Sequence, residues 1–115
     1  MMLHPYSLQT VGPMCQLFIG ADASGVIDPG YEACVMRACA ERFASFTIVR
    51  GQGVFRGVAE ECLVVHIAST DRAAVLALAA TLRQDLDQLG IGLLEPDPAT
   101  GISTFFRVTD DGVVQ

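Results

Sequence analysis

The segment from Gly51 to Ser69 carries the densest set of side chains that could do chemistry. Arg56, Glu60 and Glu61 lie within six residues, between two strand-like runs. A guanidinium beside carboxylates can hold an anionic ligand or position a carboxylate. We therefore predict a hairpin whose bend contacts a small anionic ligand, with Arg56 and Glu61 among the ligand-binding residues.

His66 is the histidine that falls inside a predicted strand, four residues after Cys62. Residues four apart on a strand share a face but lie roughly 13 Å apart. The two side chains therefore cannot form a nucleophile–base pair with each other. A cross-strand partner such as Gln16 could complete a site, and we predict His66 and Arg107 as further ligand-binding residues.

Several reaction classes are excluded because the sequence lacks the residues they need. All seven basic residues are arginines, which excludes a Schiff-base lysine, a phosphate-binding P-loop and a lysine general base. The net charge of −6 and the absence of a basic stripe argue against nucleic acid and anionic lipid as partners. No apolar run approaches the length of a membrane helix, and no secretory signal is recognisable, so we expect a cytoplasmic protein.

Two further sets of residues lack the spacing that a dinucleotide site or a zinc site requires. Gly51-Gln52-Gly53 begins like a dinucleotide fingerprint, but Arg56 stands at the third glycine position and a strand follows where a helix is required. We interpret these glycines as a bulge or a hairpin bend. The four cysteines form no C-x-x-C pair, which excludes a zinc knuckle, and we expect buried free thiols.

The elements that must position these residues form one domain over residues 14–109, after an irregular arm (1–13) and before a frayed tail (110–115). Strands are predicted over 14–20, 46–50, 61–69 and 102–108, with a short additional one over 91–95. Asp28 followed by Pro29 predicts the start of a helix that runs to Ala44. A second helix is predicted from Thr70 or Asp71 to Leu89, with Gly90 after its end.

This order of elements predicts a ferredoxin-like βαββαβ fold, an antiparallel sheet with two helices on one face. The first and third strands are then central neighbours, and their other face carries Phe18 and Val64, joined by Phe105. An open apolar face needs a cover, and a second copy of the chain is the simplest one. We therefore predict a homo-oligomer, a dimer or a trimer, that associates through this face.

Three short motifs resemble a family of small bacterial domains of unknown function. That family pairs an opening strand ending in Phe-Gly with a later Gly-x-Trp-Arg-type hairpin, and here Phe55 stands where the tryptophan is usual. The motifs are Leu17-Phe18-Ile19-Gly20, Arg42-Phe43 before Phe46-Thr47-Ile48, and Gly53-Val54-Phe55-Arg56-Gly57 with Glu60-Glu61. More distantly the layout resembles the PII signalling proteins and the divalent-cation-tolerance (CutA) proteins. That resemblance implies a ferredoxin-like trimer, but the lysine and arginine phosphate contacts of a PII nucleotide site are not recognisable here.

These observations leave three functional hypotheses. The first is a non-enzymatic regulatory or assembly module that senses a small ligand at the Arg56 hairpin. The second is a small enzyme of the dimeric α+β-barrel kind, a monooxygenase or isomerase, with His66, Arg107 or Tyr31 as working groups. The third is a metal site that uses Cys62 or His66, although the sequence shows no set of metal ligands. Catalytic residues and cofactors stay unknown at this point.

Overall fold

The computed structural model describes residues 14–69, 71–97 and 99–114. The predicted arm, residues 1–13, lies outside them. The six strands and two helices, in chain order, are β1 Met14–Gly20, α1 Pro29–Ala40, β2 Thr47–Phe55, β3 Val58–Ala68, α2 Arg72–Asp85, β4 Ile91–Pro96, β5 Ser103–Thr109 and β6 Gly112–Val114. None of the helices found in these ranges is both long and apolar enough to cross a membrane.

All strand pairs are antiparallel and form one sheet in the order β2-β3-β1-β4-β5-β6. The predicted neighbourhood of the first and third strands is confirmed, with Phe18 directly opposite Val64. The fold is thus α+β with two helices, and its sheet is larger than a four-stranded one. Strand β6 lies in the segment that we predicted as a frayed tail, where it pairs with β5.

Both helices begin where the sequence predicts and end earlier. The carboxylate of Asp28 accepts a hydrogen bond from the Tyr31 N–H at 2.8 Å, and that of Asp71 accepts one from Ala74 at 3.0 Å, so each is a helix N-cap. Helix α1 stops at Ala40 rather than Ala44. Helix α2 stops at Asp85 rather than Leu89, because Asp87 adopts a left-handed backbone with φ of 53°.

The hydrophobic core lies between the helices and one face of the sheet. Successive strand residues point to opposite faces, and the odd-numbered residues of β1, together with Leu63, Val65 and Ile67 of β3, are the buried ones. From the helices the core receives Val35, Ala38, Cys39, Val75, Leu78, Ala79 and Leu82. Leu89, the last residue of the predicted second helix, is 88% exposed.

The β2–β3 hairpin is longer than predicted, and its bend lies elsewhere than at the glycines. Gly51 and Gly53 lie within β2, opposite Cys62 and Glu60. The chain reverses at Arg56 and Gly57, whose φ values of 51° and 80° are both left-handed. Two such residues in succession are typical of the tight turn that fits the twist of a hairpin. The glycine-bend prediction was therefore wrong, while the prediction that Arg56 lies at the bend is confirmed.

Candidate functional site

A cleft opens where the hairpin extends beyond the end of β1. Strand β1 stops at Gly20, opposite Cys62, whereas β3 begins four residues earlier, at Val58. The cleft measures about 230 Å³. Its walls come from the end of β1 and from the facing parts of β2 and β3: Phe18, Ile19, Gly20, Gly53, Val54, Glu60, Glu61 and Cys62.

Glu60 and Glu61 both line this cleft, and as neighbours on β3 their side chains point to opposite faces of the sheet. The Oε1 atom of Glu61 accepts a hydrogen bond from the backbone N–H of Ile27 at 2.7 Å, and the Glu61 N–H donates to the Gly25 carbonyl at 3.0 Å. Glu61 therefore ties the connection between β1 and α1 to the hairpin. Within the described residues the Glu60 carboxylate makes no hydrogen bond or ion pair.

Arg50 is a cation that interacts with the charge of Glu61, and it already forms an ion pair with Glu32. Its Nε and Nη2 atoms donate to Glu32 Oε2 at 3.1 and 2.6 Å. The hydrogen bond to Glu32 raises the pKa of Arg50, and the charges of Glu32 and Glu61 add to that shift. The Arg50 guanidinium is therefore paired with Glu32 on an exposed surface and also interacts with the charge of Glu61.

A hydrogen-bonded clamp fixes the β1 end of the cleft from the helix side. The Tyr31 hydroxyl donates to the Gly20 carbonyl. Gln88 Nε2 donates to the Tyr31 oxygen at 2.9 Å and to the Ala21 carbonyl at 3.1 Å. Burial raises the pKa of Tyr31 to about 12, so the phenol keeps its proton and donates it in the hydrogen bond to the Gly20 carbonyl. This arrangement makes Tyr31 a positioning residue, and it does not favour the acid–base role of our enzyme hypothesis.

An aromatic pair lies on the open face of the sheet, next to the cleft. The rings of Phe18 and Phe105 have centroids 5.9 Å apart and are tilted by 56°. A Cβ atom at Gly92 would lie only 2.7 Å from Cζ of Phe105 and 3.2 Å from Cβ of Phe18. The Phe105 ring therefore occupies the space that any side chain at position 92 would need.

The structure places the four predicted ligand-binding residues at four separate positions on the sheet. Glu61 lines the cleft, and Arg56 is exposed at the hairpin tip. His66 lies on the open face, directly between Thr47 of β2 and Gln16 of β1. Arg107 lies on β5 opposite Gly92, with its guanidinium beside Gly90. Ligand binding by these four residues stays a prediction.

Metal binding has no assembled site in the part of the chain that the structure describes. No group of three or more histidine, cysteine, aspartate or glutamate side chains comes close enough together there to hold an ion. Cys62 and His66 share the open face, four residues apart. Cys15 and Cys39 are buried, and burial raises the pKa of both thiols, that of Cys39 to about 11.

Sequence reasoning missed the cleft because it depends on the unequal lengths of β1 and the hairpin. Phe18 was assigned to the open face, and Glu60 was read as the neighbour of Arg56. Gln88 gave no signal in the sequence, since a glutamine in a turn is ordinary. Alternation along the predicted strand already places Cys62 on the same side as Phe18, and the same rule applied to a longer β3 would have added Glu60.

Two helices on one face of a six-stranded antiparallel sheet, with the other face open, define a two-layer α+β domain. The chain is similar to a solved structure, that of a phage SAM lyase in its apo state. The two sequences are 23% identical, the match covers 96% of this chain and 97% of that one, and the TM-score is 0.63. The likeness is one of fold. No family model and no curated protein sequence matched the chain.

Proposed function

We propose that this protein binds S-adenosylmethionine (SAM), a sulfonium cation, in the cleft beside the β2–β3 hairpin. The observation that carries the proposal is that Glu60, whose carboxylate makes no hydrogen bond or ion pair within the described residues, lines this cleft together with an aromatic residue, Phe18. Carboxylates attract a cation, and an aromatic face adds to that attraction. The likeness to a phage SAM lyase supplies the particular ligand. Our sequence-based prediction was an anionic ligand, and the carboxylate of Glu60 in the cleft is the reason for this change.

Binding is the part of this proposal that the geometry favours most. A carboxylate beside a sulfonium stabilises the bound cation, and that charge disappears as the carbon–sulfur bond breaks. An interaction that is stronger in the ground state than in the transition state does not raise a rate. The leading proposal is therefore a ligand-binding module, which agrees with the regulatory hypothesis drawn from the sequence.

Isothermal titration calorimetry with SAM and S-adenosylhomocysteine tests the binding proposal. The second compound has the same skeleton with a neutral sulfur, so we expect it to bind at least tenfold more weakly, which corresponds to about 1.4 kcal/mol. We expect Glu60→Gln to reduce the difference between the two compounds. Asp85→Asn removes one negative charge from an exposed position on α2 and is the matched control. Equal affinity for the two compounds would contradict the proposal.

A second candidate function is SAM cleavage, which the likeness to a lyase favours. In such a reaction a carbon–sulfur bond breaks and its electron pair stays on sulfur, which leaves as a neutral thioether. The carbon that loses sulfur forms a bond to an oxygen of the ligand's own carboxylate, or a neighbouring carbon loses a proton and a double bond forms. Incubation of the protein with SAM, followed by mass spectrometry, distinguishes the candidates. A thioether product that depends on Glu60 would establish the enzyme, whereas unchanged SAM with measurable binding would establish the module.

Self-association through the open face of the sheet stays part of the proposal. Val49 on β2 is 45% exposed on this face, and Val64 lies opposite it on β3. Only 17% of the residues of the chain are charged, against about 25% in a typical domain, and exposed apolar area of this kind is typical of an interaction surface. We expect light scattering after size exclusion to give a dimer or a trimer. Val49→Lys should shift it to monomer, while Leu89→Lys, at a more exposed position off the sheet, should not.

A further inference from the structure

The feature that carries a further inference is the connection between β1 and α1, residues 21–28. The hairpin holds this connection through Glu61, whose Oε1 atom accepts a hydrogen bond from the Ile27 N–H at 2.7 Å and whose own N–H donates to the Gly25 carbonyl at 3.0 Å. Ile27 is 2% exposed, so its N–H would be buried without a partner if the carboxylate withdrew. The Glu61 carboxylate is therefore the acceptor that fixes the connection to β3.

The same connection lies against Glu60, which lines the cleft. A Cβ atom at Gly25 would lie 3.8 Å from Cγ of Glu60, an ordinary contact distance, so the Gly25 backbone runs alongside this side chain. Gly25 has a left-handed φ of 76°, and its N–H donates to the Asp22 carbonyl at 3.0 Å, which closes a turn. A glycine at this position thus allows the turn to lie directly beside Glu60.

We infer that Glu61 is a positioning residue, which holds the connection against the hairpin and through it orients the Glu60 side chain at the cleft. The two glutamates serve opposite faces of β3, so the backbone of Gly25 carries the effect from one to the other. This inference rests on the proposed binding of SAM and adds what aims the carboxylate at the sulfonium. A side chain held in one rotamer before binding loses less freedom when the ligand binds.

Two conservative variants of Glu61 separate the reach of its side chain from its charge. Glu61→Gln keeps an acceptor oxygen at the same length without the charge, whereas Glu61→Asp keeps the charge on a shorter side chain, which withdraws it from the Ile27 N–H. Calorimetry gives the ratio of the affinities for SAM and S-adenosylhomocysteine in each protein. We expect Glu61→Asp to lower this ratio at least about threefold and Glu61→Gln to leave it unchanged. The opposite order, or an equal effect of the two variants, would overturn the positioning role.

A double variant shows whether Glu61 acts through Glu60. Where Glu60→Gln is already present, the carboxylate that Glu61 positions is absent. Adding Glu61→Asp should then leave the ratio of the two affinities at the value of Glu60→Gln alone, because the two substitutions affect one interaction. A further fall of the ratio in the double variant would show that Glu61 acts on the ligand independently and would overturn the inference.

NMR without a ligand separates a failure of this inference from a failure of the proposed function. Three-bond couplings report whether the Glu60 side chain keeps one χ1 rotamer, and hydrogen exchange reports the protection of the Ile27 N–H. We expect one rotamer and a protected N–H in wild type and Glu61→Gln, and averaged rotamers with faster exchange in Glu61→Asp. This pattern without SAM binding would retain the positioning of Glu60 and reject SAM as the ligand. An unchanged Glu60 rotamer in Glu61→Asp would overturn the inference even if SAM binds. Thermal melting of each variant confirms that the compared proteins are folded.

Discussion

Strands β1 and β3 show two different environments on their two faces. On the helix-covered face, the alternating residues Cys15, Leu17, Ile19, Leu63, Val65 and Ile67 are all buried. On the open face, their neighbours Gln16, Phe18, Cys62, Val64 and His66 are only partly buried. Among the described residues no polar or charged side chain is buried. Stability and candidate chemistry thus lie on opposite sides of the same strands, and the two sides should respond differently to substitution.

The largest expected difference is between Leu63 and Val64, adjacent residues on the two faces of β3. Leu63 is fully buried, so Leu63→Ala should lower the free energy of unfolding by about 2–5 kcal/mol through lost burial and a cavity. Val64→Ala removes less volume at a partly exposed site and should cost about 1 kcal/mol or less. Urea unfolding measures both values, and similar losses would show that the open face is packed as tightly as the core.

The next comparison uses two glycines on the open face. Gly92→Ala places a Cβ against the Phe105 ring and should destabilise the protein by about 1–3 kcal/mol. A Cβ atom at Gly53 would have no other atom within 4 Å, and the φ angle of Gly53 is not in the left-handed region. Gly53→Ala should therefore stabilise the protein by about 0.4–1 kcal/mol, because it restricts the unfolded chain. Shifts of the melting temperature in opposite directions for the two variants would confirm the comparison, and a stabilising Gly92→Ala would contradict it.

Tyr31 gives a pH-dependent difference between the clamp and the rest of the fold. Its pKa is about 12 in the folded protein against about 10 in the unfolded chain, so the folded state holds the phenolic proton more tightly. Its contribution to stability is complete below pH 10 and is lost as the pH rises towards 12. Tyr31→Phe should cost about 1 kcal/mol at neutral pH and remove this part of the alkaline loss.

Unfolding curves at pH 8, 10 and 11 measure this effect in both proteins. Cys39, whose pKa is also raised, titrates in the same range in both, so the difference between wild type and variant isolates Tyr31. A difference between the two proteins that does not change from pH 8 to pH 11 would show that the phenol is not held by the clamp.

The last comparison has the smallest expected effect on stability. It concerns the rates at which the buried thiols and the thiol in the cleft react. Cys15 and Cys39 are buried and their raised pKa values keep them protonated, so they should react slowly with iodoacetamide. Cys62, which lines the cleft and is partly exposed, should react faster. Peptide mapping gives each rate, and saturating SAM should protect Cys62 selectively. Protection of all four thiols alike would point to global stabilisation instead of occupancy of the cleft.

Local patterns were enough to predict β1, both helix N-termini and the neighbourhood of the first and third strands. The N-caps Asp28 and Asp71 act through contacts three residues away, which a sequence displays directly. The extent of the hairpin could not be predicted in this way, because glycines at positions 51 and 53 break the β-branched pattern of a strand. There they pair across the sheet with Cys62 and Glu60, a tertiary context that overrides their local preference.

The candidate site was harder to predict for the same reason. Glu61 was identified, but its partner in the structure is the backbone of Ile27, 34 residues away, and no spacing rule connects the two. The cleft itself is a difference in strand length, so it appears only once both ends of β1 and β3 are known. The clamp on Gly20 joins α1, β1 and the turn after α2, three parts of the chain that only the fold brings together.

The two adjacent carboxylates on β3 also determine which changes of chain length the protein can tolerate. Glu60 and Glu61 serve opposite faces, so one residue inserted or deleted between Arg56 and Glu60 would exchange their roles while leaving the composition almost unchanged. Lengthening the hairpin by one residue in each strand preserves both roles. Natural variation and engineered loops should therefore change this hairpin in matched pairs, and single-residue changes should be absent from functional variants.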